Sequence, residues 1–454
     1  MSKQLLDKYN VPGPRYTSYP TVPYWDDETF SMDRWQEAVQ RTFAKSNDQD
    51  GISLYVHLPY CESLCTYCGC NKRITKNHDV EIPYIDALLK EWALHRSLLG
   101  NTLRIREIHL GGGTPTFFSP QNLTTLIESL LSTNSISEPH EFAFEANPNS
   151  TTKEHLETMF RLGFTRLSLG VEDFDPKVQD VINRIQPFER VAAVTNQARE
   201  IGYASVNFDL VYGLPLQKET SIINTIGLVN ELRPDRIAFY SYAHVPWIKG
   251  VGQRKFSEKD LPSGAEKRAL YELGRKILEE AGYREIGMDH FALPHDALHR
   301  AGTEGRLHRN FQGYTSAHTL LSLGLGVSSI SDSWYGFAQN EKVIEDYIAR
   351  VTNNEIPIFR GHILSEEDRI LRRHILNVMC QSETSWAQPE EQHPTLYQGL
   401  DRMNEVKADS LVVVEDEHLR VTEKGRPFLR NICMALDARL WRNEPTTKIF
   451  SQAI

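Results

Sequence analysis

Apolar and polar positions alternate in short runs from residue 52 onward, and these runs predict six β-strands. The runs are ISLYVHL (52–58), REIHL (106–110), EFAFE (141–145), FTRLSLG (164–170), ASVNFDL (204–210) and RIAFYSY (236–242). Between most of them, apolar residues recur at helical spacing, at 83–99, 122–131, 153–162, 189–202 and 219–232. A regular strand–helix–strand order predicts parallel strands joined by right-handed helical crossovers, and therefore an α/β fold.

Six parallel strands leave two architectures open, a doubly wound sheet and an incomplete barrel. In both, ligands bind at the carboxyl ends of the strands. Unusual residues stand at or just beyond those ends, namely Tyr55, His57, the run Gly111-Gly112-Gly113-Thr114, Glu145, Glu172, Asp209, Ala243 and His244. The sequence therefore predicts a binding site at this end of the sheet.

The regions on either side of the strands have different patterns. Residues 1–50 are polar and rich in Pro and Tyr, and predict an arm with one helix near 30–45. We expect the core domain to span 51–355, with a helix at 264–281 and a weakly periodic stretch at 287–333.

The last hundred residues, 356–454, predict a small, mainly helical, winged-helix-like domain. A capping-box pattern at Ser365 to Asp368 predicts a helix that runs to about Cys380. The segment 411–422 predicts a hairpin, and a helix is expected from Glu423 to about Leu440. We expect this domain to pack as a lid, because the segment is not basic enough to predict nucleic-acid binding.

Composition excludes several classes of protein. Of 454 residues, 40% are hydrophobic and 24% charged, which is not the composition of a collagen-like, mucin-like or disordered chain. The net charge of −10 argues against a general binder of nucleic acid or anionic membranes. Neither a run of about 20 apolar residues nor an N-terminal signal pattern is present, which predicts a cytoplasmic protein without a membrane partner.

Four of the six cysteines, Cys61, Cys65, Cys68 and Cys70, lie within ten residues, whereas Cys380 and Cys433 fit helical core positions. Structural zinc takes four ligands, often as two separated pairs, and no second Cys or His cluster follows this loop. A CxxxCxxC loop can instead hold three irons of an iron–sulfur cubane and leave the fourth iron open. The spacing favours an iron–sulfur cluster, with zinc as the alternative.

The cysteine loop after the first strand, together with HLGGGTPT after the second, resembles the radical S-adenosylmethionine (SAM) superfamily, whose core is a partial (β/α)6 barrel. Further segments resemble the oxygen-independent coproporphyrinogen III oxidases within it. They are GPRYTSYP (13–20), YVHLPYC (55–61), LSLGVEDF (167–174), NFDLVYGLP (207–215), YAHVP (242–246), GMDHFA (287–292), HRNFQGYT (308–315) and RNICM (430–434). The resemblance runs from about residue 8 to the C-terminus.

The resemblance implies a [4Fe-4S] cluster on Cys61, Cys65 and Cys68, and two SAM molecules, the first of which chelates the open iron. Matching positions for the first SAM are Tyr55, Gly112, Glu145 and Ile330. Those for the second are Tyr67, Gly113, Thr114, Glu172, Arg184, Asp209 and Ala243. Glu172 departs from the Gln of the family pattern, and Tyr67 stands in place of a Phe.

The implied reaction is the oxidative decarboxylation of two propionates of coproporphyrinogen III to vinyl groups, giving protoporphyrinogen IX. Candidates to hold the substrate or assist the chemistry are Arg15, His57, Cys70, His308, Arg309, Phe311 and Gln312. For each of them a purely structural role is the alternative. We expect a monomer that takes electrons from a donor such as flavodoxin and passes them to an unidentified acceptor.

Two other functions remain open. A haem-binding chaperone of the same superfamily would bind haem without this turnover, although Cys70 and GPRYTSYP (13–20) favour the enzyme. A zinc-stabilised regulatory module would use the winged-helix-like end instead.

Overall fold

The computed structural model describes residues 3–26, 28–100, 103–132, 134–246, 253, 255–447 and 449–452, and every predicted strand is present in them. The strands are β1 (Ile52–Leu58), β2 (Tyr60–Cys61), β3 (Arg73–Ile74), β4 (Arg104–Gly112), β5 (Ser135–Ala146), β6 (Arg166–Glu172), β7 (Ser205–Tyr212), β8 (Arg236–Ser241), β9 (Arg284–Gly287), β10 (His290–Ala292), β11 (His308–Asn310), β12 (Gly313–Thr315), β13 (Ser322–Leu325), β14 (Ile330–Asp332), β15 (Gly336–Asn340), β16 (Ile358–Ile363), β17 (Glu383–Ser385), β18 (Val412–Glu415) and β19 (His418–Val421).

The predicted helices are also present, except for the continuous one expected from Glu423, and most lie within two residues of their expected bounds. The helices are α1 (Lys3–Tyr9), α2 (Met32–Ser46), α3 (Glu81–Leu99), α4 (Pro120–Leu131), α5 (Lys153–Arg161), α6 (Pro176–Val181), α7 (Phe188–Ile201), α8 (Glu219–Leu232), α9 (Gly264–Glu280), α10 (Ala297–Thr303), α11 (Ile344–Thr352), α12 (Glu366–Gln381), α13 (Pro394–Asp401), α14 (Asn404–Ala408), α15 (Leu429–Leu436) and α16 (Ala438–Arg442). Short 3-10 turns lie at Val22–Tyr24, His78–Val80, Pro115–Phe117, Glu258–Asp260, Pro389–Glu391 and Arg426–Phe428.

Twelve strands of the described residues form one sheet, in the order β16-β15-β14-β13-β1-β4-β5-β6-β7-β8-β10-β9. The central strands from β13 to β8 pair in parallel, and both flanks are antiparallel. This is the predicted α/β architecture of a partial (β/α)6 barrel, with one parallel strand more than the sequence indicated.

The additional parallel strand is β13, which lies beside β1 in a stretch that predicted little regular structure. A Cβ at Gly324 would lie 2.6 Å from the backbone oxygen of Ile330, so this position accepts only glycine. Gly324 interrupts the apolar pattern of β13, and a strand of four residues gives too short a pattern to recognise.

Successive side chains of the central strands face opposite sides, as the alternation predicts. One side packs under the helices and is almost wholly buried, with Leu54, Val56, Ile108, Leu110, Phe142, Phe144, Leu167, Leu169, Val206, Phe208, Ile237 and Phe239 in a single core. The other side faces the barrel interior and carries mostly polar residues, which shapes the site described below.

The C-terminal region contains the predicted hairpin, extended by β17 into a three-stranded antiparallel sheet. The capping box at Ser365 and Asp368 is also confirmed. The continuous helix expected from Glu423 is wrong, because a turn and Pro427 precede α15 and Asp437 ends it. Asp437 instead caps α16 by accepting a hydrogen bond from the backbone N–H of Leu440 at 2.9 Å. The domain boundary at residue 355 stays a prediction, and β16 joins the main sheet beyond it.

Candidate cofactor and substrate site

A cavity of about 620 Å³ lies inside the barrel and brings most of the predicted site residues together. The predicted residues that line it are Arg15, Tyr55, Cys61, Cys65, Tyr67, Cys68, Cys70, Gly112, Gly113, Thr114, Glu145, Glu172, Arg184, Asp209, Ala243 and Gln312. His57, His308, Arg309, Phe311 and Ile330 do not line it. The cavity therefore joins the cysteine loop, the strand ends and the N-terminal arm.

The cysteine loop is fixed at both of its ends by the strands around it. Its first residue, Cys61, belongs to β2, which pairs in parallel with β3, so residues 62–72 form a closed loop. In the middle of the loop, the backbone N–H of Thr66 donates to the carbonyl of Ile182 at 2.8 Å. This anchoring presents Cys61, Cys65 and Cys68 to the same cavity.

The three thiols differ in their electrostatic surroundings. Burial raises the pKa of Cys61 to about 11, and burial also raises the pKa of Cys65, whose sulfur accepts a hydrogen bond from Arg184 Nη1 at 3.6 Å. The pKa of Cys68 is lowered, chiefly by a hydrogen bond from the Cys70 thiol and further by the charge of Lys72. Cys70 therefore acts on a neighbouring thiol.

The donor set fits an iron–sulfur cluster. Three soft thiol donors on one loop face a common cavity, and a cubane takes each thiolate on a separate iron. Within the described ranges, no three His, Cys, Asp or Glu side chains converge on a point suited to one metal ion.

The glycine run after β4 leaves room beside the cysteine loop. Gly112 has a φ of +115°, and a Cβ there would lie 2.8 Å from the ring of His57. A Cβ at Gly113 would lie 2.6 Å from the backbone carbon and oxygen of Pro59. Only glycine permits this approach, which exposes backbone to the cavity.

Tyr55 and His57 face the same side of β1, as predicted, and the Tyr55 hydroxyl lies 3.1 Å from His57 Nδ1. His57 Nε2 in turn contacts the carbonyl of Asn71 at 2.9 Å. Burial lowers the pKa of His57, which keeps the ring neutral. The ring thus joins β1 to the end of the cysteine loop.

Glu145, at the end of β5, is held with its carboxylate toward the cavity. Its Oε2 accepts a hydrogen bond from the backbone N–H of Gly112 at 3.3 Å, and its Oε1 lies 3.3 Å from His109 Nε2. Because 43% of the side chain is exposed, the carboxylate can accept hydrogen bonds from a ligand in the cavity.

Arg184 and Glu172 form a buried pair beside the cysteine loop, with Arg184 Nε 3.7 Å from Glu172 Oε1 and Arg184 Nη1 3.6 Å from Cys65 Sγ. Arg184 also donates to the carbonyl of Gly170 at 2.6 Å. Burial raises the pKa of Glu172 to about 7 although the charge of Arg184 opposes the rise. Glu172 has a φ of +66°, a conformation that is strained for a side chain other than glycine.

Asp209 lies beside this pair, and it stands in the middle of β7 and not at the strand end that the sequence indicated. It accepts hydrogen bonds from Ser168 at 2.8 Å and from Asn207 at 2.9 Å. Burial raises its pKa to about 6, and the two hydrogen bonds oppose that rise.

The arm and the 308–312 segment are divided between two environments. Arg15 reaches the main cavity, where its Nη1 lies 3.5 Å from Asp289 Oδ2. Arg309 lies behind it and donates to the carbonyl of Arg15 at 3.2 Å. Gln312 lines both the main cavity and a second, small cavity of about 20 Å³.

The remaining candidates lie at the small cavity, which His308, Phe311 and Ile330 line. The ring of His308 packs on His318 with centroids 4.3 Å apart, and Phe311 packs on Phe337 at 5.9 Å. These contacts are those of a packed wall, so a role for the three residues in ligand binding stays a prediction.

The sequence reasoning missed a charged floor at the amino-terminal half of the strands. Arg166 Nε lies 2.9 Å from Glu141 Oε1, and Arg236 Nε lies 2.6 Å from Asp296 Oδ1. Glu107 lines the floor as well and accepts a hydrogen bond from Thr315 at 2.9 Å. The spacing of polar positions along the strands could have predicted this floor. Residues two or four positions apart share a face of a strand. Each charged residue of the floor stands at that distance before a polar or glycine position, namely Glu107, Glu141, Arg166 and Arg236.

A family profile described as "Radical SAM superfamily" matches residues 55–229, from β1 into α8. The fold and the cysteine loop are those of a radical SAM enzyme, which implies a [4Fe-4S] cluster and SAM as cofactors. The oxygen-independent coproporphyrinogen III oxidase of Escherichia coli is 39% identical over 99% of this chain and 98% of its own length. That of Helicobacter pylori is 37% identical, with the same coverage.

The solved structure of coproporphyrinogen III oxidase from Escherichia coli superposes with a TM-score of 0.89, at 37% identity, over 96% of this chain and 99% of that one. The chain belongs to the oxygen-independent coproporphyrinogen III oxidase family.

Proposed function

We propose that the chain decarboxylates two propionates of coproporphyrinogen III to vinyl groups without oxygen, giving protoporphyrinogen IX. The observation that carries this proposal is the single cavity shared by three thiols, the Glu145 carboxylate and the arm residue Arg15. When bound, the cluster and SAM would supply a carbon radical that removes a hydrogen atom from the propionate chain. The protein would position the substrate and exclude water.

Cys61, Cys65 and Cys68 are the proposed cluster ligands. Tyr55, Gly112 and Glu145 line the cavity beside them and are the proposed contacts to the first SAM, with Glu145 accepting hydrogen bonds from the ribose hydroxyls. Ile330 would complete this set, although it lies at the small cavity.

A second SAM is proposed in the same cavity, beside the first. All seven of its matching positions line the same cavity, namely Tyr67, Gly113, Thr114, Glu172, Arg184, Asp209 and Ala243. Arg184 is the proposed partner of the SAM carboxylate. Because Glu172 already lies 3.7 Å from Arg184, it competes with that carboxylate for the guanidinium.

We therefore expect Glu172→Gln to tighten SAM binding at one site about tenfold, which corresponds to ~1.4 kcal/mol, and to leave the other site unchanged. Anaerobic calorimetry with the cluster-loaded protein measures the two affinities. Glu154→Gln, at an exposed glutamate in the first turn of α5 outside the cavity, is the matched control. Equal SAM affinities in wild type and Glu172→Gln would make Glu172 a bystander.

The carboxylates of the substrate are proposed to bind at the corner where the arm meets the barrel. Arg15 lines the cavity there, and Lys267 and Arg430, which do not line it, lie near enough for the charge of Arg15 to act on them. Burial, followed by the charge of Arg15, lowers the pKa of Lys267 to about 8 and that of Arg430 to about 9. A corner with clustered cations favours an anionic ligand, and Gln312 would donate to a further propionate.

An anaerobic assay with coproporphyrinogen III, SAM, a reductant to start SAM cleavage and a one-electron acceptor tests the function, with protoporphyrinogen IX and CO2 as the expected products. Cys61→Ala, Cys65→Ala and Cys68→Ala should each lose iron and reduce SAM cleavage by at least about a hundredfold, because a missing ligand removes cluster affinity. Cys380→Ala, a cysteine outside the loop, should retain both.

Retained SAM cleavage in any of the three loop variants contradicts the ligand set. Stoichiometric haem uptake without product would support the chaperone, and zinc without iron or sulfide would support the regulatory module.

No helix in the described part of the chain is long and apolar enough to cross a membrane. A cytoplasmic location, a monomeric state, a donor such as flavodoxin and an unidentified electron acceptor stay predictions.

A further inference from the structure

Lys72, which the family resemblance does not include, lies at the end of the cysteine loop with its ammonium turned back onto the loop. Its Nζ donates to the carbonyl of Cys68 at 3.2 Å and to that of Cys70 at 3.3 Å. The side chain is partly buried and lines the main cavity beside the loop cysteines.

The two hydrogen bonds complete the anchoring of the loop. The backbone N–H of Cys68 donates to the carbonyl of Cys65 at 3.2 Å, and the side chain of Asn71 donates to the carbonyl of Lys342 at 2.9 Å. Lys72 links the two parts of the loop that these bonds fix, because its Nζ binds the carbonyls of Cys68 and Cys70, on either side of Gly69. A Cβ at Gly69 would have no atom within 4 Å, so nothing packs against this residue from outside the loop.

Lys72 forms no ion pair with any described residue. No carboxylate oxygen of the described ranges lies within 4.0 Å of its Nζ. The next residue, Arg73, is different, since it pairs with Glu345 at 2.8 Å. The ammonium of Lys72 thus has no ion-pair partner of its own, and a cation that is hydrogen-bonded to the loop stabilises negative charge on the loop sulfurs.

We propose that Lys72 is a positioning residue that holds the cysteine loop in its ligating shape and raises the reduction potential of the cluster. One-electron reduction takes [4Fe-4S]²⁺ to [4Fe-4S]⁺ and adds one negative charge, which a nearby cation stabilises. The inference rests on the cluster of the proposed function and adds a residue that sets how easily that cluster accepts its electron.

A mediated redox titration, followed by EPR on anaerobically reconstituted protein, measures the effect. Lys72→Gln keeps a hydrogen-bond donor and removes the charge. We expect it to retain iron and to lower the ratio of reduced to oxidised cluster at a fixed potential about tenfold, which for a one-electron couple is 59 mV.

Lys72→Met removes donor and charge, so it should also reduce the iron bound per chain. Lys72→Arg keeps both and should restore the wild-type potential. Lys76→Gln, four residues further along the chain and exposed, is the matched control and should leave iron content and potential unchanged.

A Lys72→Gln protein with full iron content and an unchanged potential overturns the electrostatic part of the proposal. If Lys72→Gln, Lys72→Met and Lys72→Arg all lose iron equally, neither the charge nor the donor explains the residue and the whole proposal fails. Failure of the proposed function is a separate result, because it is read from the wild type, which would then form no protoporphyrinogen IX in the anaerobic assay, with or without a cluster signal.

Discussion

At the scale of single residues, the site depends on how closely backbone segments approach one another. The backbone N–H of Gly113 donates to the carbonyl of Leu58 at 2.8 Å, which draws the end of β4 against the start of the cysteine loop. On the far side of the loop, Gly69 faces open space. Gly113 therefore has no space for a side chain, whereas Gly69 in the same site does.

We expect Gly113→Ala to lower the free energy of unfolding by about 1–3 kcal/mol, the usual cost of overpacking, and to reduce iron binding. The added Cβ would lie 2.6 Å from backbone atoms of Pro59, which cannot rotate away. Gly69→Ala is the control and should change neither property. Denaturant unfolding and iron analysis of the two variants give the comparison, and equal behaviour would contradict the steric argument.

At the scale of elements, the start of α12 is bonded to α16 within the C-terminal region. Asp368 is fully buried and accepts hydrogen bonds from Arg439 Nε at 3.0 Å and Nη2 at 2.9 Å. It also accepts from the Ser365 hydroxyl at 2.8 Å within the capping box. Burial acts against the charged form, but His362 and Arg439 outweigh it and hold the pKa of Asp368 well below its usual range. The Asp368 carboxylate thus both belongs to the capping box at the start of α12 and binds Arg439 of α16.

Asp368→Asn should destabilise the protein by about 3 kcal/mol at pH 7, because it leaves Arg439 without its buried partner. The native pKa is lowered, so the stabilisation by Asp368 is complete above the ordinary pKa of 3.8 and declines as the pH falls below it. Chemical unfolding between pH 3 and 8 measures this profile. Glu366→Gln, in the first turn of the same helix, is the control, and a difference that does not shrink at low pH would contradict the assignment.

At the scale of the whole molecule, the N-terminal arm connects the C-terminal region to the cavity. Arg430 Nε donates to the carbonyl of Pro14 at 2.9 Å, and the backbone N–H of Gly13 donates to the carbonyl of Ser451 at 3.0 Å. Tyr16 donates to Asp437 at 3.0 Å. Between these anchors, Arg15 extends into the cavity and donates to the carbonyl of Ser241 at 3.1 Å.

Arg430→Met should loosen the arm and lower kcat/KM for the tetrapyrrole about tenfold through misplacement of Arg15. SAM affinity should stay unchanged, because the proposed SAM contacts lie on the barrel. Hydrogen exchange at residues 9–16 should become faster. Arg426→Met, an exposed arginine just before the same helix, is the control. Unchanged exchange and unchanged kcat/KM would show that the arm does not depend on Arg430.

The periodic elements and the cysteine loop could be predicted from the sequence because both are local patterns. β1 and α8 have the bounds that their apolar spacing indicates, and Cys61, Cys65 and Cys68 stand close together in the chain before any folding. The positions that match the two SAM sites came from family resemblance, and all but Ile330 line one cavity.

The tertiary structure alone decided which distant residues meet. The pairing of β13 with β1, the Glu141–Arg166 contact and the approach of Arg15 to Asp289 join residues that are far apart in the chain. A sequence pattern reports the burial preference of each residue within its own element, since that preference repeats with the period of the helix or strand. Which charged side chain faces which partner depends on how the strands close around the cavity, and this information is not present in any local segment.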